Sequence, residues 1–193
     1  MKPMWDIEEE RKEEAGNPGP EEQGGGRFER IIMETSNATS LITNRLTALA
    51  RKAHFQAVQE ACLSEAQVAS MRTDVEAKGK TYIGGPTDPE QGKASAGVGP
   101  SFVKGLAAYP LPNPTNDYLN AEANGRCKIV CFDAGGCTVT RAIIYGWTGA
   151  TKGSKLAART DDLLAIIEAQ FEAMDPGPKV IMGDFNGPIE AFP

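Results

Sequence analysis

The chain has 193 residues, 40% hydrophobic and 24% charged, with a formal net charge of −6 at neutral pH. That length supports one domain with a buried core, and the acidic balance excludes attraction of nucleic acid by the field of the whole molecule, so any such contact must come from local basic patches. No apolar stretch is long enough to cross a membrane, and Met1-Lys2-Pro3-Met4-Trp5-Asp6 runs into acids with no apolar signal core, so the expected setting is intracellular and soluble, with no membrane partner.

Residues 1–27 carry Glu8-Glu9-Glu10, Glu13-Glu14 and Glu21-Glu22 beside Asn17-Pro18-Gly19-Pro20 and Gly24-Gly25-Gly26. Such a segment buries too little apolar surface to offset its ordering entropy, which predicts a disordered acidic tail with a transient helix near Asp6 to Glu14. Residues 28–193 then form the domain. From Phe28 short apolar runs alternate with helix-period segments, the pattern of a mixed α/β fold. Phe28 to Glu34 reads as a strand, and Ile42, Leu46, Leu49 and Ala53 predict a helix over Leu41 to Ala53. Phe55 to Glu60 reads as a second strand ending in a carboxylate. Ser64-Glu65-Ala66-Gln67 has the form of a capping box, opening a helix to about Lys78 with Val68, Met71 and Val75 on one face and Gly79 as its stop.

Thr81 to Ile83 is a short predicted strand, Gly84 to Gly97 a surface loop, and Val98 to Val103 with Leu106 to Tyr109 a pair of strand pieces. The prolines and asparagines of Pro110 to Gly125 predict a second long loop. Arg126 to Asp133 and Cys137 to Tyr145 read as a hairpin turning at Ala134-Gly135-Gly136. A last helix is expected from Thr160 as N-cap, with Asp161 and Asp162 in its first turn and Leu163, Leu164, Ile167, Phe171 and Met174 inside. Asp175-Pro176-Gly177-Pro178 ends it, and Lys179 to Met182 forms a strand before Gly183-Asp184-Phe185-Asn186.

Cys62, Cys127, Cys131 and Cys137 form no C-x-x-C pair and the only histidine is His54, so the cysteines read as buried reduced thiols in place of zinc ligands or disulfide partners. Basic clusters that could touch nucleic acid are Arg45, Arg51 and Lys52 on the predicted helix, and Lys152, Lys155 and Arg159 in a loop; solvated surface charge is the plainer reading of both.

Asn37, Glu60, Tyr145, Asp184 and Asn186 sit at the carboxyl ends of apolar runs, where side chains leave the core of a layered α/β fold and face a shared cleft. Two carboxylates and two amides are hard oxygen donors suited to Mg²⁺ and a phosphate, and a Tyr hydroxyl can donate to a phosphoryl oxygen as charge builds. Each alone also has a plain reading: Glu60 as an exposed carboxylate, Asn37 as a turn former, Tyr145 as a half-buried strand residue.

The ordered series Asn37, then Phe55-Gln56-Ala57-Val58-Gln59-Glu60, then Ala96-Gly97-Val98-Gly99-Pro100-Ser101-Phe102-Val103-Lys104, then Arg141-Ala142-Ile143-Ile144-Tyr145, then a helix leading to Lys179-Val180-Ile181-Met182-Gly183-Asp184-Phe185-Asn186 resembles the endonuclease/exonuclease/phosphatase superfamily with its DNase I-like fold. The resemblance implies an α/β architecture of four layers, a two-layer β-sandwich flanked by helices, with a divalent metal, Mg²⁺ or Mn²⁺, at the strand ends. It implies Glu60 as the principal metal ligand, helped by Asn37. Asp184 would align and deprotonate the attacking water, Asn186 would orient Asp184 and the phosphate, and Tyr145 would stabilise the pentacoordinate phosphorane. The implied partner is nucleic acid or another phosphoester.

The chain departs from the superfamily pattern where Thr39 replaces an acid and Trp147 replaces a proline. The pattern also implies a later strand ending in an Asp-His pair, which no residue after Pro193 supplies, so the domain is expected to be incomplete at its C-terminus. The leading expectation is a phosphodiester hydrolase in the style of the endonuclease modules of non-LTR retroelements, impaired by that lack. The alternatives are a non-catalytic fold remnant or interaction module, and a phosphatase acting on a lipid or inositol phosphate.

Overall fold

The computed structural model describes residues 7–9, 28–37, 41, 50–61, 63–84, 98–134 and 136–187. In chain order the elements are β1 (Ile7–Glu9), β2 (Phe28–Arg30), β3 (Met33–Asn37), β4 (Phe55–Gln59), α1 (Glu65–Glu76), β5 (Thr81–Ile83), β6 (Val98–Val103), β7 (Ala107–Pro110), α2 (Asn116–Ala123), β8 (Cys127–Ala134), β9 (Cys137–Tyr145), α3 (Lys155–Glu172) and β10 (Lys179–Asp184). One four-stranded sheet runs β3-β4-β6-β5, a second runs β10-β9-β8-β7, and β1 pairs with β2.

The period-two alternation of strand side chains sorts the core into three slabs. Phe55 and Ala57 of β4 meet Val130 and Phe132 of β8 and Val139 and Ile143 of β9 between the sheets. On the outer face of the first sheet, Val58 and Phe102 pack under Val68, Met71 and Val75 of α1. Outside the second sheet, Ile129, Ala142 and Ile144 pack under Tyr118 of α2 and Leu163, Ile167 and Phe171 of α3. The order helix, sheet, sheet, helix is the four-layer sandwich expected. Among the described residues no helix is long and apolar enough to cross a membrane.

Among the described residues two charged side chains are buried, Lys80 and, more deeply, Arg141. Arg141 is fully buried on β9, with its guanidinium carbon 4.1 Å from the centre of the Phe55 ring and one nitrogen donating to the Glu34 carbonyl at 3.1 Å. Its Nε and Nη1 have no partner, and burial pushes the group down to about 9.

Local signals account for most boundaries. Ser64 and Gln67 make the reciprocal capping box at the start of α1, and Gly79 beyond its end takes φ 65°. β8 and β9 pair with Ala134 opposite Cys137, a two-residue turn.

Several expectations are corrected. The strand predicted over Phe28 to Glu34 breaks at Ile31 and Ile32, where the Ile32 carbonyl accepts from the His54 and Phe55 amides. Residues 7–9, within the predicted tail, are extended and pair with β2. β6 and β7 do not pair: β6 joins β4 and β5, and β7 joins β8 in the other sheet. The predicted loop Pro110 to Gly125 contains α2, because Thr115 caps the Tyr118 amide and the Tyr118 hydroxyl accepts from the Ile129 amide at 2.8 Å, docking the helix on β8. α3 begins at Lys155, not Thr160: Ser154 caps it, while Thr160 is buried inside and bonds back to the Leu156 carbonyl. Lys155 and Arg159 therefore stand on a helix. Arg51 and Lys52 are not helical, and Arg51 pairs with Glu34 at 2.7 Å. Cys127 and Cys131 are buried free thiols, but Cys137 is exposed beside the hairpin turn. The predicted helix Leu41 to Ala53 lies outside the described residues except at Leu41, helical and buried, and at 50–53, which are turn and irregular backbone. Cys62, Arg45 and most of the Gly84 to Gly97 loop also lie outside them.

Candidate active site

Parallel pairing places the five sequence-predicted residues at one end of the sandwich. β3 and β4 run parallel with Asn37 opposite Gln59, so Asn37 and Glu60 leave the first sheet side by side. β9 and β10 run parallel with Tyr145 opposite Asp184, so these two leave the second sheet together, with Asn186 just beyond. Two hydrogen bonds between these five side chains cross from sheet to sheet: Asn37 Nδ2 donates to Asp184 Oδ2 at 3.3 Å, and the Tyr145 hydroxyl donates to Glu60 Oε1 at 2.5 Å.

Asp184 is fixed from its own side as well. Its Oδ1 accepts from the Asn186 backbone amide at 2.8 Å, while the Asn186 side chain donates to the Gly146 carbonyl at 2.9 Å. Asn186 thus orients Asp184 through its main chain and anchors the loop after β9 through its side chain. Close approach of the two strand ends requires glycine. A Cβ on Gly183, which has φ 147°, would lie 2.0 Å from the Ile144 carbonyl oxygen, and one on Gly146 would lie 2.3 Å from that of Phe185.

Backbone strain gathers here. Among the described residues three non-glycines have positive φ, and two of them are Glu60 at 54° and Asn186 at 53°. Asn tolerates this region, but for Glu it costs about 1–2 kcal/mol. A register shift in β4 between Ala57 and Gln59 lies next to Glu60, where such an irregularity re-aims side chains at a strand end.

Burial first, then its bond to the Glu60 carboxylate, raises Tyr145 above the ordinary tyrosine value, so its hydroxyl keeps its proton as a donor. The donor set of Glu60, Asp184 and Asn37 is oxygen only. Among the described residues no three His, Cys, Asp or Glu side chains gather to hold an ion by themselves. A set of one or two carboxylates and an amide fits Mg²⁺, which keeps several waters, and does not fit zinc, which prefers nitrogen and sulfur. His54 stands at the far end of β4, roughly 20 Å from Glu60 by strand rise, where its Nδ1 accepts from the Ile32 amide at 3.1 Å.

Sequence reasoning named Arg159 and Trp147 but passed over Arg126 and the cluster that the three form beside the site. Arg126, just before β8, donates to the same Gly146 carbonyl at 3.3 Å and lies 5.5 Å from the centre of the Tyr145 ring and 4.6 Å from that of Trp147. Arg159 of α3 lies 4.9 Å from the Trp147 ring. Burial lowers Arg126 from the usual arginine value, and the nearby Arg159 charge lowers it further. The hairpin pairing of Arg126 beside Tyr145 and the helical position of Arg159 were the signals available, and the second was hidden by the misplaced start of α3.

No protein-family model and no curated protein matches the sequence. Solved structures do. The chain is similar to the AP endonuclease LMAP from Leishmania major (15% identity, 80% of this chain and 54% of that one, TM-score 0.55). It is also similar to the endonuclease domain of TRAS1, a telomere-specific non-LTR retrotransposon (17% identity, 83% and 62%, TM-score 0.54). A third is the 3'-5' exonuclease from Neisseria meningitidis (17% identity, 79% and 56%, TM-score 0.52). The architecture is therefore the fold of these structures, the DNase I-like fold that the sequence resemblance implied. The chain spans between 54% and 62% of the length of these three structures.

Proposed function

We propose that the chain is a Mg²⁺-dependent phosphodiester hydrolase acting on nucleic acid. The observation that carries this reading is the convergence of Asn37, Glu60, Tyr145, Asp184 and Asn186 from the ends of four strands in two sheets, joined by the crossing bonds Asn37 to Asp184 and Tyr145 to Glu60. The similar solved structures supply the substrate class, since all three are described as nucleases.

Glu60 and Asn37 would hold the cation, with Mn²⁺ able to replace Mg²⁺. The bound ion supplies Lewis-acid stabilisation of the phosphoryl charge. Asp184, oriented by the Asn186 amide, takes a proton from water as the water oxygen bonds to phosphorus. The opposite P–O bond breaks, and the leaving alkoxide takes up a proton from water; His54, at the far end of β4, is too distant to supply it. The Tyr145 hydroxyl, which donates to Glu60 here, would in the loaded site donate to the phosphoryl oxygen on which charge grows, a contribution of about 10²–10³ in rate.

The test is nicking of supercoiled plasmid with Mg²⁺ by wild type, Glu60→Ala and Asp184→Ala. Loss of nicking in both variants is expected; equal activity in all three overturns the proposal. A non-catalytic module would in addition show no change in thermal stability on Mg²⁺ titration.

A further inference from the structure

Beside the candidate site, between α2 and α3, lies a cavity of about 360 Å³. Its floor is apolar, made by Ala121, Leu163 and Ile166, and its rim carries Asn120 and Asn124. One end is closed by Arg126, Trp147 and Arg159. Two guanidiniums within 5 Å of one indole ring are unusual company, because the charges repel across the shared ring. Asp117 and Asp162 also line the cavity, yet among the described residues neither Arg126 nor Arg159 forms a salt bridge. The two guanidiniums are held together by the indole, and among the described residues the carboxylates that share the cavity are not in ion-pair contact with them.

The cavity also shares contacts with the candidate site, since Arg126 lies 5.5 Å from the centre of the Tyr145 ring. The Gly146 carbonyl accepts from both Asn186 at the site and Arg126 at the cavity. A ligand on the arginine pair is thus one residue away from Tyr145 along β9 and its loop.

An arginine pair outside any ion pair among the described residues fits phosphoryl oxygens through the forked geometry of the guanidinium, and an apolar floor with amides at its rim fits a flat heterocycle with polar edges. A nucleotide joins both. We infer that this cavity binds one unstacked nucleotide of the substrate strand beside the scissile phosphate, with its phosphate on Arg126 and Arg159 and its base on the floor. This rests on the nucleic-acid reading above and extends it to a substrate class: a base can enter such a cavity only from a single strand or an unpaired position, since a duplex keeps its bases stacked. It also answers the net charge of −6, which would repel a strand without a local basic clasp.

The experiment measures binding without cleavage. The full chain carrying Asp184→Asn is titrated in EDTA against a short fluorescein-labelled oligothymidylate and against the same strand annealed to oligoadenylate, by anisotropy over a salt series. The expected result is tighter binding of the single strand, weakened about tenfold by Arg159→Gln, with the salt slope reduced by about one. Arg159 is exposed, and circular dichroism checks its variant's fold. Arg159→Lys, which keeps the charge and loses the fork, is expected to fall between the two. Equal affinity for single strand and duplex, unchanged affinity in Arg159→Gln, or no binding of either probe overturns the inference. Plasmid nicking that depends on Asp184 together with an unaffected Arg159→Gln would reject the cavity while keeping the hydrolase. Single-strand binding that depends on Arg159, with no Mg²⁺-dependent cleavage, would do the reverse.

Discussion

The two sheets reach the candidate site by different means. The second sheet secures its contribution internally: Asp184 is held by Asn186, Asn186 by Gly146, and β10 lies on β9 so closely that Gly183 and Gly146 have no room for a side chain. The first sheet has shorter strands and delivers Glu60 through a register shift and a strained residue, which then depends on Tyr145 across the gap. One half of the site is rigid by construction, and the other is positioned by the packing of sheet on sheet. Catalytic geometry should therefore report on the core between the sheets as well as on the residues that do chemistry.

The largest expected effect separates the halves by function. Asp184→Asn should lower the nicking rate by about 10²–10⁴, whereas Asn37→Ala, which removes one donor to that carboxylate from the first sheet, should lower it about tenfold. Comparable losses in single-turnover assays would show that the first sheet is as deeply committed as the second. Next come the glycines. Gly183→Ala should cost roughly 3 kcal/mol or more in urea unfolding, because the new Cβ meets the Ile144 carbonyl. Gly79→Ala beyond α1, also at positive φ but facing open space, should cost only about 1–2 kcal/mol.

A smaller effect tests the strain at Glu60. Glu60→Gly should abolish nicking yet leave unfolding free energy within about 1 kcal/mol of wild type, since relief of the left-handed backbone offsets the lost hydrogen bond. A loss of several kcal/mol would show that the Glu60 to Tyr145 bond, and not strain, dominates there.

The smallest is pH dependence. Burial pushes Cys127 in the second sheet and Tyr82 in the first up to about 12 each. The native chain keeps protons that the unfolded chain gives up, so stability is full below the unfolded values of 9.0 and 10.0 and falls as pH rises toward about 12. Arg141, pushed down to about 9, releases its proton earlier when folded and opposes the fall. Thermal melts across this range should show a net decline; a flat profile would give Arg141 equal weight.

The sequence made the fold legible where signals were local and redundant. The capping box at Ser64, the Gly-Gly hairpin before Cys137 and the apolar run into Asp184 each name an element and its boundary together. The five site residues could be found because each closes an apolar run, and run ends become neighbours when strands are parallel. What was hidden depends on distant partners. Nothing near Val98 to Tyr109 says that its two strands belong to different sheets, since that choice is made by β4 and β8. α2 hides in a stretch rich in Pro and Asn because its support comes from Tyr118 bonding to Ile129 and Gln170 accepting from the Thr115 amide at 2.8 Å. Thr160 has the chemistry of a cap, but the buried face of α3 continues one turn before it through Ala157. The arginine pair around Trp147 exists only after that helix is placed.

The parallel pairing of β10 with β9 also has a consequence in time. Between Tyr145 and Asp184 the chain must complete α3, which at cellular rates of synthesis takes roughly 2 to 8 s. During that interval a nascent chain already carries Asn37, Glu60 and Tyr145 but lacks the carboxylate proposed to activate water. On the proposed chemistry, a nascent chain that has not reached β10 can bind a cation and a phosphate but lacks the carboxylate that would activate water.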